Sequence, residues 1–180
     1  YIFNTFSTTD LPFSQVVQEA LEKGYTEPDP REDLSGNDVG RKLLILAREL
    51  DLKNEFSEGV IENLIPEALQ GLDAPGFLAQ MSKLDPIFAK IKAGLAPDEV
   101  LRYMGVLGGD LQKDKGQLSA GLSKVPKQSP LGQVKGADSI IEIYTESYGN
   151  RPIVIQGAGA GATVTARGVF GDILRIVEKN

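Results

Sequence analysis

Between Tyr25 and Lys42 the chain reads YTEPDPREDLSGNDVGRK, its densest collection of groups able to bind charge or move a proton. Pro28 and Pro30 restrict the backbone, so the carboxylates of Glu27, Asp29, Glu32 and Asp33 are displayed on a stiff, extended loop with little entropy left to lose on binding. Asp38 and Lys42 stand four residues apart and share a helix face. A partly buried lysine can have its pKa lowered enough to exchange a proton near neutrality, while carboxylates beside it can hold an ammonium group. Together they suit a small amino-acid substrate whose reacting oxygen lies near Lys42. Plainer readings stand beside this one. Asp38 and Lys42 could form a surface ion pair contributing roughly 0.3 to 0.5 kcal/mol. Ser35 and Asp38 match an S-x-x-D capping box. The acids of residues 27–33 could be merely solvated, or could supply oxygen ligands to Mg²⁺ or Ca²⁺.

What the chain lacks narrows the chemistry further. It contains no histidine and no cysteine. Histidine triads, thiolate nucleophiles and the usual zinc sites are therefore excluded, and proton transfer falls to carboxylate, Lys or Tyr. The absence of cysteine suits a reducing compartment, and the cytoplasm is the expected location. A net charge of −6 argues against nucleic acid or an anionic membrane as partner. No apolar run approaches the ~20 residues of a membrane span, and no secretory signal is expected. The opening Tyr1, Ile2 and Phe3, without a methionine, suggest a piece of a longer protein with a first helix already under way.

The elements that must position these residues follow from periodicity. Phe13, Val16, Val17, Ala20 and Leu21 mark a helix that starts near Pro12 and stops at Gly24. Val39, Leu43, Leu46, Ala47 and Leu50 mark a second, which carries Asp38 and Lys42. Residues 60–65 read as a strand ended by Pro66, and Phe77, Met81, Leu84, Phe88 and Ile91 as helix with a break at Pro86. Residues 100–107, 117–125, 139–145 and 151–156 are β-prone, and 163–177 returns to helix. Helices early and strands late predict an α+β fold, with helices layered on one face of a mostly antiparallel or mixed sheet. A sheet covered on one side leaves an apolar face to hide, so a homodimer or higher homo-oligomer is expected.

The stretch VIQGAGAGATVTA, residues 154–166, poses a separate question. Gly157, Gly159 and Ala162 fit the G-x-G-x-x-A spacing of a dinucleotide cradle. Only 14 residues follow this stretch, too few for the acidic second strand that such a motif requires.

Taken with its neighbours, GYTEPDPREDLSGNDVGRKLLILAREL resembles the signature of homoserine dehydrogenases, in the version carried by bifunctional aspartokinase/homoserine dehydrogenases and by fungal and plant enzymes. RPIVIQGAGAGATVTARGVFGDILRI resembles the closing segment of that family, and VLRYMGVL a strand between the two. The resemblance implies interconversion of L-homoserine and L-aspartate 4-semialdehyde by hydride transfer with NADP or NAD, in threonine, methionine and isoleucine biosynthesis. It implies that Glu27 and Asp33 bind substrate, Tyr25 lines the pocket, Asp38 contacts the reacting end and Lys42 is the acid/base. Acids around Lys42 would raise its pKa, so burial or a second cation must oppose them in the oxidative direction. The resemblance further implies a substrate-binding and dimerisation domain over residues 1–156. Residues 157–180 then return to a nucleotide-binding domain, with Gly161 letting the backbone approach the nicotinamide. The alternative for these glycines is a tight turn without cofactor contact. The main nucleotide-binding region, a second lysine and a sodium-binding segment lie outside the 180 residues, so the chain alone is expected to be inactive. The competing function is a non-catalytic amino-acid-binding or assembly module.

Overall fold

In the computed structural model, which describes residues 1–159 and 161–178, the chain opens with four helices: α1 (Ile2–Phe6), α2 (Phe13–Glu22), α3 (Arg31–Leu34) and α4 (Asn37–Glu49). Then come β1 (Val60–Ile61), α5 (Glu67–Gln70), α6 (Ala74–Gln80), a 3₁₀ turn (Met81–Leu84) and α7 (Asp85–Ala93). The chain continues through β2 (Glu99–Gly108), β3 (Gln117–Pro126), α8 (Pro130–Gln133), β4 (Asp138–Ile143), β5 (Ile153–Ala158) and α9 (Ala162–Glu178). The α+β expectation holds, with the strands divided between two sheets. One is mixed, in the order β1-β3-β2, with β1 parallel and β2 antiparallel to β3; the other is the antiparallel pair β4-β5.

The apolar spacing of α2 turns Phe13, Val16, Val17 and Ala20 into the core. Phe13 stacks on Phe88 of α7 at 3.7 Å between ring centroids, and Phe6 meets Phe13 edge-on. Pro12 at the N-cap offers no side-chain oxygen to the first turn of α2. Asp85 of α7 serves instead, accepting the Ser14 backbone N–H at 2.7 Å and the Ser14 hydroxyl at 2.9 Å.

The expected helix through residues 77–91 is interrupted earlier than its proline. The 3₁₀ turn comes first, and Pro86 sits in the opening turn of α7, where its missing N–H costs nothing. The strand expected over 60–65 pairs only at Val60 and Ile61. Beyond it, Glu62 still donates to the Ala120 carbonyl of β3 at 2.8 Å, but Leu64 donates to the Leu34 carbonyl at 3.0 Å, which ties the end of this stretch to α3. Arg102 of β2 is only 5% exposed and makes no ion pair among the described residues. Its guanidinium donates to the carbonyls of Leu131, Gly132 and Val134 and so fixes the α8 segment against β2.

Helix α4 lies close against β2 and β3 because glycines occupy the contact points. A Cβ on Gly105 would meet Val39 at 2.8 Å and Leu43 at 3.0 Å; one on Gly40 would meet Phe56 at 2.8 Å. Gly36, with φ +75°, caps α4 directly over the Tyr103 ring, whose hydroxyl would stand 1.8 Å from an added Cβ. That hydroxyl donates to the Glu62 carbonyl at 2.7 Å, and burial pushes its pKa up to about 12, so it stays a donor.

Gly24 shares the left-handed backbone (φ +68°) but has open space where a Cβ would go. Gly24→Ala is therefore expected to cost only the backbone strain, ~1 kcal/mol. Gly36→Ala adds a steric clash and is expected to cost at least about 2 kcal/mol more. Urea titration of both variants measures the difference, and equal losses would contradict the close-approach account.

Candidate active site

The acidic loop is held by its own residues. Pro30 and Leu34 are buried, which anchors α3 to the core. Asp29 grips Arg31 through both carboxylate oxygens, at 2.9 Å from Nε and 2.5 Å from Nη2. Arg31 in turn donates to the Leu72 carbonyl and lies 5.9 Å above the Phe77 ring. The turn of helix at Arg31–Leu34 departs from the extended loop expected there. It brings Asp33 back under Glu27, whose backbone N–H donates to Asp33 Oδ2 at 3.0 Å.

Asp33 is half-buried, and this burial lifts its carboxyl from 3.8 to about 6. The Glu27 N–H opposes the shift, while the nearby Glu27 and Asp38 carboxylates add to it.

Helix α4 brings the second group of residues. Ser35 is itself in helical conformation and bonds to the Asn37 N–H and the Glu32 carbonyl, so the N-cap falls to Gly36 and the S-x-x-D capping box does not form. Asp38 pairs instead with Lys42 at 2.7 Å. Both side chains are open to solvent, 56% and 67% exposed, so the partial burial expected of Lys42 is not found.

One cleft of about 560 Å³ is lined by Glu27, Pro28, Asp29, Glu32, Asp33, Asp38, Arg41 and Lys42. Four of the residues singled out from sequence (Glu27, Asp33, Asp38 and Lys42) thus converge. Tyr25 is not among the lining residues; its ring packs against Tyr1 at 5.0 Å. Nor is Gly161, which lies between β5 and α9 with φ +116° and open space where a side chain would be. Arg41 is the residue the pattern does not single out, although its i,i+3 spacing from Asp38 places it on the same helix face. A larger groove of about 640 Å³ lies along Phe6, Leu11, Phe13 and Ala89; of its charged residues Asp10, Asp85 and Lys92, the last two are committed to Ser14 and to the Thr9 carbonyl. Among the described residues no three carboxylates are grouped to hold a metal ion, and no helix is long and apolar enough to cross a membrane.

Chemically, the cleft joins acids able to receive an ammonium group to a lysine able to exchange a proton with an oxygen. This arrangement has relatives. A family model described as homoserine dehydrogenase matches residues 1–174. The chain is 47% identical over 178 residues to the chloroplastic bifunctional aspartokinase/homoserine dehydrogenase of Daucus carota, covering 98% of this chain and 19% of the carrot protein. It is 41% identical over 188 residues to the homoserine dehydrogenase of Saccharomyces cerevisiae, covering 99% of this chain and 50% of the yeast one. A crystal structure of a Candida auris protein of unknown function superposes with a TM-score of 0.81 at 41% identity, over 99% of this chain and 50% of that one. The chain thus spans half or less of the length of these relatives. A match across nearly all of its residues shows that the chain belongs to the homoserine dehydrogenase family.

Proposed function

We propose that this chain is the substrate-binding and dimerisation part of an enzyme that interconverts L-homoserine and L-aspartate 4-semialdehyde. The observation that carries the reading is the shared cleft of Glu27, Asp33, Asp38 and Lys42. Glu27 and Asp33 receive the substrate ammonium. Asp38 and Lys42 meet the reacting oxygen, and Lys42 exchanges its proton as the carbon–hydrogen bond is made or broken. Tyr25 flanks the loop that carries Glu27. The bound nicotinamide, of NADP or NAD, supplies the hydride acceptor or donor. Gly161 fits an approach to that ring, since it carries no side chain and has no neighbour within 4 Å of where one would start. Residues 1–156 form the substrate domain in this proposal and 157–180 complete the nucleotide-binding domain; residues 160, 179 and 180 lie outside the described ones.

Two exposed apolar surfaces fit the same division. On α9, Val169, Phe170 and Ile173 are 58%, 61% and 51% exposed, and this helix is the part assigned to the nucleotide-binding domain. On the β4-β5 pair, Ile141 stands opposite Ile155 and Ile143 opposite Ile153, all four exposed on one face. Self-association through that face gives the homodimer. The lack of cysteine fits a reducing compartment such as the cytoplasm.

The 180 residues alone are expected to turn over homoserine at a negligible rate. Joined to a nucleotide-binding region of the family, they are expected to be active, and Lys42→Ala is then expected to lower kcat by about 10²- to 10⁴-fold in steady-state assays with NAD(P). Unchanged turnover would contradict the lysine assignment and favour an amino-acid-binding or assembly module.

Asp33 gives the reading a pH signature. A carboxyl lifted from 3.8 to about 6 keeps a proton in the folded chain that the unfolded chain has released. Its stabilising contribution is complete below the unfolded pKa and is lost as pH rises through the folded one. The denaturation midpoint is therefore expected to fall across this window in the native chain and to fall less in Asp33→Asn. Ionised Asp33 is the form that receives ammonium, so homoserine binding should strengthen over the same window. Parallel stability profiles for the two proteins would contradict the assignment.

A further inference from the structure

Arg41 immediately precedes Lys42 on α4, and both line the cleft. Three of its acidic cleft neighbours already have partners. Asp29 holds Arg31, Asp33 accepts the Glu27 N–H, and Asp38 pairs with Lys42. Arg41 makes no hydrogen bond or ion pair among the described residues. The cleft offers five carboxylates (Glu27, Asp29, Glu32, Asp33 and Asp38) against two cations, so an anionic group entering it meets a repulsive field except beside Arg41 or Lys42.

A substrate of the homoserine kind has three polar ends: an ammonium, a carboxylate and the reacting oxygen. In the reading above, the acids take the first and Lys42 the third, which leaves the carboxylate without a partner on this chain. We propose that Arg41 binds the substrate α-carboxylate and so selects amino acids over amino alcohols; the proposal rests on that reading of the cleft. Guanidinium suits the task because its planar fork meets both oxygens of a carboxylate and stays charged throughout the working pH range. Consecutive helix residues diverge by ~100° around the axis, so Arg41 and Lys42 can hold two separate substrate ends instead of competing for one. The spacing also gives Asp38 both cations as helix neighbours, at i+3 and i+4; its observed bond to Lys42 leaves the guanidinium free for substrate.

The test uses the active enzyme, this chain joined to its nucleotide-binding region, with Arg41→Gln and Arg41→Lys. L-homoserine is compared with 3-aminopropan-1-ol, which keeps the amine and the alcohol but lacks the carboxylate, assayed as a substrate and as a competitive inhibitor. Arg41→Gln is expected to raise KM for L-homoserine roughly 10- to 100-fold, with kcat changed only a few-fold. The KM or inhibition constant of the amino alcohol should not move, and Arg41→Lys should recover part of the loss. An unchanged KM for homoserine would overturn the proposal. So would an equal loss for both compounds, or a rise in KM for the nucleotide instead, which would place the guanidinium on a cofactor phosphate. If the unmodified enzyme does not oxidise homoserine, the functional reading fails and the proposal falls with it. If Lys42→Ala abolishes turnover while Arg41→Gln leaves KM intact, only the role of Arg41 is refuted.

Discussion

The short distance between α4 and the β2-β3 ladder governs where Asp38, Arg41 and Lys42 stand relative to the acidic loop. Two glycines permit it, Gly36 against the Tyr103 hydroxyl and Gly105 beneath Val39 and Leu43, while Gly40 lets Phe56 and Ile61 of β1 pack against the same helix. With side chains at these points the helix would have to stand off from the sheet, carrying Asp38, Arg41 and Lys42 with it. The facing loop would not follow, because Asp29, Arg31 and the Leu72 carbonyl fix it to a different part of the core. Catalytic groups displaced by about 1 Å can lose a hundredfold in rate, so a constraint on backbone approach is also a constraint on chemistry.

Lys42 illustrates how local and global requirements interact. Its pairing with Asp38 is the interaction an isolated helix would make, and both partners remain in contact with water. Exposed pairs of this kind add little stability. In the proposed enzyme their value is positional, because a nucleotide-binding region closing over the cleft would expel water and strengthen each electrostatic contact inside it. Asp33, already half-buried, shows the effect of desolvation on a carboxylate in the same cleft before any such closure.

Helix periodicity made much of this legible from sequence. The stripes of Phe13, Val16, Val17 and Ala20 and of Val39, Leu43 and Ala47 announce α2 and α4, because a single face must be buried in each, although Leu46 and Leu50 of the second stripe stand 41% and 53% exposed. The long strands β2 and β3 are legible for a similar reason. What escapes the sequence depends on partners far along the chain. Pro86 looks like a break but begins a helix, since the preceding turn has already tightened at Met81–Leu84. Ser35 looks like a cap, yet the left-handed Gly36 takes that position to clear Tyr103. Residues 62–65 look like strand, whereas Leu64 is recruited by Leu34. In the cleft, the acids and Lys42 could be found by residue type and spacing. Arg41 could not be singled out, since its distinguishing property is the absence of a partner among groups that the fold brings together.

The central claim is that substrate lies between the acidic loop and α4, with its ammonium on the loop and its reacting oxygen on the helix. A crystal structure of the active enzyme with L-homoserine and nucleotide bound tests this most directly. The account predicts the ammonium within hydrogen-bond reach of Glu27 or Asp33 and the hydroxyl oxygen about 3 Å from Lys42 Nζ. A ligand seated outside the cleft, or bound in the reverse orientation with its ammonium toward Lys42, would contradict it.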